Sequence, residues 1–261
     1  VQVGACAQGV YHDGMRIQRV VLYFISVCVL ALALAGGATA PTTRVGSAWP
    51  LTTCPVCLKP LGATPVIKII EDVKDPSLNG REIRFESEEC AATFEIDRAK
   101  YLKPANEQMV REQLPQYPTI NCVVMPDESL ADPNTPNAGK DENIIVGNRL
   151  VRTCCGQCAR RVRRDPVKWL AQVDKGIVAD QGAKYPLRVC VISGAPLPAE
   201  PVNVFIGSRL VEVATPEDAL KAQQKPLETL AKLDAAISAL KPSAEKNPTT
   251  DAPPIAKPGA K

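Results

Sequence analysis

Histidine is almost absent from this sequence of 261 residues, which contains a single one, His12. We expect His12 to precede the mature protein, so the mature chain would have no imidazole group. That excludes catalysis by a Cys–His pair or a Ser–His–Asp triad, and it excludes a metal site built on histidine. A metal ion held here would need thiolate ligands, supplemented by thioether or carboxylate, and that set suits Zn²⁺ or Cu⁺.

Aromatic residues are also scarce, at 4%, and the net charge is only +3 with both signs mixed. A small module with few large side chains builds a thin core, which usually needs a metal ion or disulfides for stability. The nearly balanced charge gives no indication of a nucleic-acid partner. Cysteine, by contrast, occurs ten times, and these residues are the main functional candidates.

The first 40 residues have the pattern of an export signal. Arginines after Met15 precede the apolar run 20–34, and small residues follow it. We predict that residues 1–40 are an upstream extension and a secretory signal peptide, with the true start at Met15 or Val1. The mature protein would then be periplasmic or extracellular. The alternative is that residues 20–40 stay uncleaved and anchor the chain in a membrane.

A repeat organises the remaining chain. Cys54, Cys122 and Cys190 are each 68 residues apart, and each follows an aromatic–proline pair by four residues. In the third copy the spacing falls to 60, because eight residues are missing from the polar loop after the cysteine, where deletions are tolerated. Agreement at so many positions indicates a true repeat. We predict three tandem modules, 49–115, 116–182 and 183–240, followed by a disordered tail, 241–261.

Each module has the pattern of a β-hairpin followed by helices, which places the chain in the α+β class. In module two an apolar run ends at Val146, Gly147-Asn148 supplies the turn, and the run resumes at Leu150. In module one, Asn79-Gly80 is predicted to supply the turn. Helix starts are indicated by Ser87 and by Thr215-Pro216, since hydroxyl side chains cap helices.

The motif Cys154-Cys155-Gly156-Gln157-Cys158, with Asp165-Pro166 and Trp169-Leu170 behind it, resembles the YHS and TRASH families of small metal-binding domains. Module one is similar, and module three resembles the family only at its opening. The resemblance implies small zinc-ribbon-like modules in which a metal ion lies between the first cysteine and the cysteines at the helix start. We expect the helix N-terminus to lower the pKa of those thiols.

The candidate ligands differ between the modules. Module three has Ala214, Thr215 and Asp218 at the helix-start positions, so we expect it to be degenerate. The fourth ligand of module two could be Cys155, Met125 or water. The candidates are Cys54, Cys57 and Cys90 in module one, and Cys122, Cys154, Cys155 and Cys158 in module two, with Glu86 and Met125 as additional ligands.

We therefore expect an exported, non-enzymatic protein that binds Zn or Cu and has no catalytic residues. One alternative is a scaffold, stapled by disulfides, that binds a protein partner. A second is a thiol redox protein, because Cys54–Cys57 and Cys155–Cys158 both have CxxC spacing. Nucleic acid is not expected as a partner, and a membrane only if the signal segment is retained.

Overall fold

The computed structural model describes residues 43–240, except 133, 135 and 136. Within this part the fold is α+β, as predicted, with six α-helices and three two-stranded antiparallel sheets. The order strand, strand, helix, helix occurs three times. The predicted signal segment and tail lie outside the described residues, and the likeness to a zinc ribbon stays a prediction.

The elements occupy equivalent positions in the three modules. Module one contains β1 (Val66–Ile69), β2 (Glu82–Phe85), α1 (Glu88–Ile96) and α2 (Arg98–Gln113). Module two contains β3 (Glu142–Val146), β4 (Arg149–Thr153), α3 (Gly156–Arg164) and α4 (Pro166–Gln181). Module three contains β5 (Val202–Ile206), β6 (Arg209–Val213), α5 (Pro216–Gln224) and α6 (Pro226–Leu240). Short 3-10 turns, Leu114–Gln116 and Gly182–Lys184, follow α2 and α4.

The hairpin of module two turns at Gly147-Asn148, as predicted. Both residues have positive φ, 53° and 63°, and the neighbouring pair in the ladder is Val146 with Arg149. A Cβ atom on Gly147 would lie 2.5 Å from the carbonyl oxygen of Val45. Glycine is therefore required here both by the backbone conformation and by the close approach of another segment.

The hairpin of module one differs from the prediction, because Asn79-Gly80 does not form the whole turn. β1 ends at Ile69 and β2 begins at Glu82, with a longer loop between them. The loop is held by its own aspartates: the Asp75 carboxylate accepts hydrogen bonds from the backbone N–H and hydroxyl of Ser77, at 2.9 and 2.6 Å. Such local side-chain bonds stabilise a loop that the strand pattern alone does not indicate.

Helix caps fix where the candidate ligands lie. The hydroxyl of Ser87 accepts a hydrogen bond from the backbone N–H of Cys90 at 3.4 Å, and Thr215 accepts one from Asp218 at 3.1 Å. Both caps were predicted from the sequence. Because the cap is one residue before the helix, Cys90 and Asp218 occupy the first turn.

Each module has its own apolar core between its hairpin and its helices. The aromatic residues that open modules two and three pack over the hairpins. The hydroxyl groups of Tyr117 and Tyr185 accept backbone hydrogen bonds from Arg152 and Glu212, both at 3.1 Å. The largest fully buried side chains include Trp49, Phe85 and Phe94 in module one, Val146 and Ile177 in module two, and Leu233 in module three.

Glutamine side chains join successive modules. Gln113, the last residue of α2, donates to the carbonyl of Asn148 and accepts from the N–H of Leu150, at 2.9 and 2.8 Å. Gln181, at the end of α4, makes the same two bonds to Ser208 and Leu210, both at 2.8 Å. Each second helix therefore completes the hydrogen bonding of the next hairpin turn.

The segment that precedes module one is inserted among the hairpin turns. The Ser47 N–H donates to the carbonyl of Gly147 at 2.9 Å, and its hydroxyl accepts from the N–H of Gly207 at 3.4 Å. The Asn148 side chain donates to the Ser47 carbonyl at 3.1 Å. The turns of modules two and three are thus held by residues that come before module one.

Candidate metal centres

Three cysteines of module one converge on one point. Cys54 and Cys57 lie on a tight turn closed by the bridge between Thr53 and Pro60, and Cys90 comes from the first turn of α1. The turn is fixed by a bond from the Cys54 N–H to the carbonyl of Lys59 at 2.9 Å. The three sulfur atoms all lie within 4.8 Å of one another.

Module two brings together an equivalent trio, Cys122, Cys154 and Cys158. Cys122 lies on the corresponding turn, Cys154 follows β4, and Cys158 belongs to the first turn of α3. Their sulfur atoms also lie within 4.8 Å of one another, and those of Cys154 and Cys158 are 3.7 Å apart. All three side chains are buried, with at most 2% of their surface exposed.

These separations fit a metal ion. A Zn–S bond of about 2.3 Å in tetrahedral geometry places the sulfur ligands about 3.8 Å apart. A disulfide, in contrast, joins sulfurs at about 2.05 Å and takes them in pairs. All eight cysteines that the structure describes are free, and six of them form the two trios. The two clusters could therefore hold a metal ion.

Three of the thiols at the helix starts, Cys90, Cys154 and Cys158, do not have the lowered pKa that the sequence predicts. Burial raises the pKa of Cys90 and of Cys158 to about 11, and it raises that of Cys154 as well. Burial disfavours a thiolate more strongly here than the helix N-terminus favours it. A bound cation would supply the missing positive charge and displace the protons.

Cys54 is different because backbone groups surround its sulfur. Burial alone would raise its pKa, but hydrogen bonds from the backbone of Cys57, Glu86 and Val56 bring the pKa below its ordinary value. Cys54 therefore loses its proton more readily than an ordinary thiol. This residue is the natural first ligand in module one.

The additional candidates are more exposed than most of the trio cysteines. The Glu86 side chain is exposed, and its carboxylate is not part of the close group in module one. Met125 is 44% exposed, outside the buried cluster of module two. Cys155 lies with its sulfur 3.9 Å from that of Cys154 but is not part of the trio. The structure thus supplies three sulfur ligands at each site.

Cys155 is the N-cap residue of α3, the position held by Ser87 and Thr215 in the other modules. It makes no capping hydrogen bond of ordinary geometry. Even so, the backbone amides of Cys158 and Gln157 lie near enough to its sulfur to lower its pKa. Cys155 is therefore a partly exposed thiol of lowered pKa beside the trio.

Module three replaces the sulfur trio with hydrogen bonds. The Asp218 carboxylate accepts from the Ser193 hydroxyl at 2.7 Å and from the Cys190 thiol at 3.4 Å. The sequence predicts a degenerate site here, but Ser193 was not among the predicted site residues. The signal was the repeat itself, which aligns Ser193 with Cys57 and Asp218 with Cys158.

The two CxxC motifs lie in different surroundings. Cys54–Cys57 is on a turn, and Cys54 is fully buried, which is unlike a nucleophilic redox cysteine. Cys155–Cys158 does open a helix, but α3 has nine residues and follows an antiparallel hairpin. The βαβ frame of thioredoxin-like proteins is not present around it.

The four arginines of α3, at 160, 161, 163 and 164, form an exposed face. Within the described part of the chain, none of the helices combines the length and apolar character needed to span a bilayer.

Comparison of the sequence and fold with known proteins gave no match to a protein-family model, a curated protein or a solved structure.

Proposed function

We propose that this chain is an exported, non-enzymatic metal-binding protein of YHS/TRASH-like modules. Modules one and two each hold one thiophilic ion, Zn²⁺ or Cu⁺, through three cysteine thiolates. Soft thiolates favour these two ions over harder ones. Three sulfur ligands suit trigonal Cu⁺, or Zn²⁺ with an exchangeable fourth ligand.

The observation that carries the proposal is the recurrence of the sulfur trio. Two sets of positions that differ in one member, Cys54–Cys57–Cys90 and Cys122–Cys154–Cys158, both place three sulfur atoms within 4.8 Å of one another. Module three, which lacks the sulfurs, forms a hydrogen-bonded cluster at the same place. The fold therefore does not require convergent sulfurs, and their presence in two modules supports a separate role.

The disulfide scaffold is a weaker explanation of the same residues. A staple uses cysteines in pairs, whereas each cluster brings three sulfur atoms together. The redox alternative is favoured by one observation, the lowered pKa of Cys155 at a helix start. Alkylation under mild conditions tests it: the proposal expects Cys155 to react first and the trios to react slowly while metal is bound.

Metal analysis of full-length protein purified anaerobically under reducing conditions tests the main proposal. We expect about two equivalents of Zn or Cu per chain, and substitution by Co²⁺ should give intense sulfur-to-cobalt absorption. Cys57→Ser and Cys122→Ser should each remove about one equivalent, whereas Cys190→Ser should remove none. Less than a tenth of an equivalent in the unaltered protein would refute the proposal.

Export is tested separately. The full sequence, fused at its C-terminus to a reporter that is active only outside the cytoplasm, should give reporter activity, and deletion of residues 16–40 should abolish it. Reporter activity that does not depend on those residues would contradict the predicted signal.

A further inference from the structure

An arginine at the start of the second strand, or immediately before it in module one, recurs in all three modules, each time with a partner on the second helix. Arg149 pairs with Asp174, and Arg209 pairs with Asp234. In module one the equivalent arginine, Arg81, meets an amide instead: its Nη2 atom donates to the Asn106 side chain at 2.7 Å. Only in module one does a neutral side chain take the place of the carboxylate.

Arg81 is also the most deeply buried of the three. Its guanidinium donates from Nε to the Asn148 side chain at 2.8 Å, and Nη2 contacts the Met109 sulfur at 3.7 Å. The Nη1 atom has no hydrogen-bond partner among the described residues. Arg81 is 0% exposed, and a buried charge without a counter-ion is strongly destabilising. Burial lowers the pKa of Arg81 to about 9.

Arg149, the equivalent arginine of module two, has a carboxylate counter-ion, although its Nη2 atom, like the Nη1 atom of Arg81, has no hydrogen-bond partner among the described residues. Arg149 pairs with Asp174, stacks on the Phe205 ring at 5.0 Å, and donates to the Gly207 carbonyl at 3.1 Å. We call the contact between modules one and two the first junction, and that between modules two and three the second junction. Ile145 occupies at the first junction the position that Phe205 occupies at the second. Arg81 thus lacks both the carboxylate and the aromatic face that stabilise its counterpart.

A cavity opens at Arg81, between α2 and the hairpin of module two. It measures about 710 Å³ and has four cationic residues in its lining, Arg81, Lys103, Arg111 and Arg163, against one acidic residue, Glu107. A cavity of about 520 Å³ occupies the equivalent place at the second junction, and there Asp174 is part of the lining. The two cavities therefore occupy matching positions, but the carboxylate that pairs directly with the arginine is present at the second and replaced by an amide at the first.

We propose that the cavity at the first junction binds a small oxyanion of the sulfate or phosphate class, which supplies the negative charge that Asp174 supplies at the second junction. The guanidinium and ammonium groups of the lining suit the oxygens of such an anion. The site is independent of the metal centres, because none of the six trio cysteines lines the cavity.

The test is a sulfate titration of full-length, zinc-loaded protein. Calorimetry measures binding, and the thermal unfolding midpoint measures stability. Sodium chloride at matched ionic strength is the control. Sulfate should raise the midpoint by a few degrees more than chloride does. Phosphate is a second arm, in chelator-treated protein because it competes for zinc. Equal midpoints in sulfate, phosphate and chloride would overturn the proposal.

Two reciprocal variants locate the site. Asn106→Asp supplies an internal carboxylate, which should weaken sulfate binding at least about tenfold and raise the midpoint without sulfate. Asp174→Asn removes the carboxylate from the second junction, and it should make the protein more dependent on sulfate. Unchanged sulfate affinity in Asn106→Asp would overturn the proposal, because the anion would then be bound elsewhere.

Discussion

The hydroxyl group of Ser193 donates a 2.7 Å hydrogen bond to the carboxylate of Asp218. In the repeat these two residues occupy the positions that Cys57 and Cys90 occupy in module one. The same place in the fold is thus closed by a neutral donor and a carboxylate in module three, and by sulfur atoms in module one. That relation makes module three an internal control for the proposed metal centres.

The control can be converted into a site. Replacing both residues in one protein, Ser193→Cys with Asp218→Cys, would give module three the same three positions that module one uses, together with Cys190. We expect the metal content to rise by about one equivalent per chain. The double variant Ser193→Ala with Asp218→Ala loses the same hydrogen bond but acquires no thiol, so its metal content should not rise. Equal metal content in the two double variants would contradict the assignment of the ligand positions.

Removal of one sulfur should affect the modules unequally. Cys158→Ser removes a ligand, and loss of an ion present at 100 to 1,000 times its dissociation constant lowers the free energy of unfolding by about 3–4 kcal/mol. Cys190→Ser breaks only a contact to Asp218 and should lower it by about 1 kcal/mol or less. Denaturant unfolding in excess zinc measures both. Equal losses would contradict the metal assignment in module two.

The Ser193–Asp218 hydrogen bond should make the stability of the protein fall in acid. The Ser193 hydroxyl, aided by Cys190, holds the pKa of Asp218 below its ordinary value of 3.8. Because the folded-state pKa is lowered, the stabilisation is fully present above pH 3.8 and is lost as the pH falls through the folded-state pKa. Ser193→Ala should shift the Asp218 titration upward.

Carboxyl carbon chemical shifts measure this titration. Asp234, whose pKa is lowered by its hydrogen bond to Arg209, is the internal control and should titrate unchanged in Ser193→Ala. An Asp218 midpoint at or above 3.8 in the unaltered protein would contradict the hydrogen-bonded arrangement.

The glutamine bonds between modules predict a graded loss of stability. Gln113 is 6% exposed, so Gln113→Ala leaves a backbone carbonyl and a backbone N–H buried without partners. We expect the free energy of unfolding to fall by about 2–3 kcal/mol. Gln181 is more exposed, and water can replace its bonds, so Gln181→Ala should lower it by about 1 kcal/mol. Urea unfolding at fixed zinc concentration tests both, and a larger effect at Gln181 would contradict this account.

Alanine substitutions at Gly147 and Gly139 distinguish the destabilisation caused by backbone strain from that caused by steric contact. Both have positive φ, 53° and 72°, but a Cβ on Gly139 meets nothing within 4 Å, whereas one on Gly147 meets the Val45 carbonyl at 2.5 Å. Gly139→Ala should destabilise by about 1 kcal/mol, from the conformation alone. Gly147→Ala should exceed that by about 2 kcal/mol or more. Similar thermal midpoints for the two variants would show that the segment at Val45 yields without resistance.

Local features of the fold could be predicted from the sequence. Apolar strands on either side of Gly147-Asn148 define a hairpin, and hydroxyl residues such as Ser87 and Thr215 define helix starts. Both signals act over a few residues and depend on backbone preferences. The six sulfurs of the trios were also predictable, because the repeat places Cys54 and Cys90 at the same points as Cys122 and Cys158, and the third cysteine of each trio lies close to one of them in sequence.

The parts that were missed depend on distant contacts or on side-chain direction. Gln113 bonds to a turn 35 residues away, and no local pattern indicates that partner. Glu86 and Met125 were reasonable extra ligands by position, but both side chains are exposed, and the carboxylate of Glu86 is not part of the close group of module one. The loop in module one is held by Asp72 and Asp75, so it exceeds the turn that Asn79-Gly80 suggests.

The insertion of Ser47 among the hairpin turns affects the order of folding during synthesis. Its partners are Gly147 and Gly207, which leave the ribosome or translocation channel roughly 100 and 160 residues later. Domains of a growing chain usually fold from the N-terminus onward. Here the earliest described segment must wait for the hairpin of module three before its contacts are complete, so release of a chain stopped short of that hairpin would leave the leading end exposed to proteases.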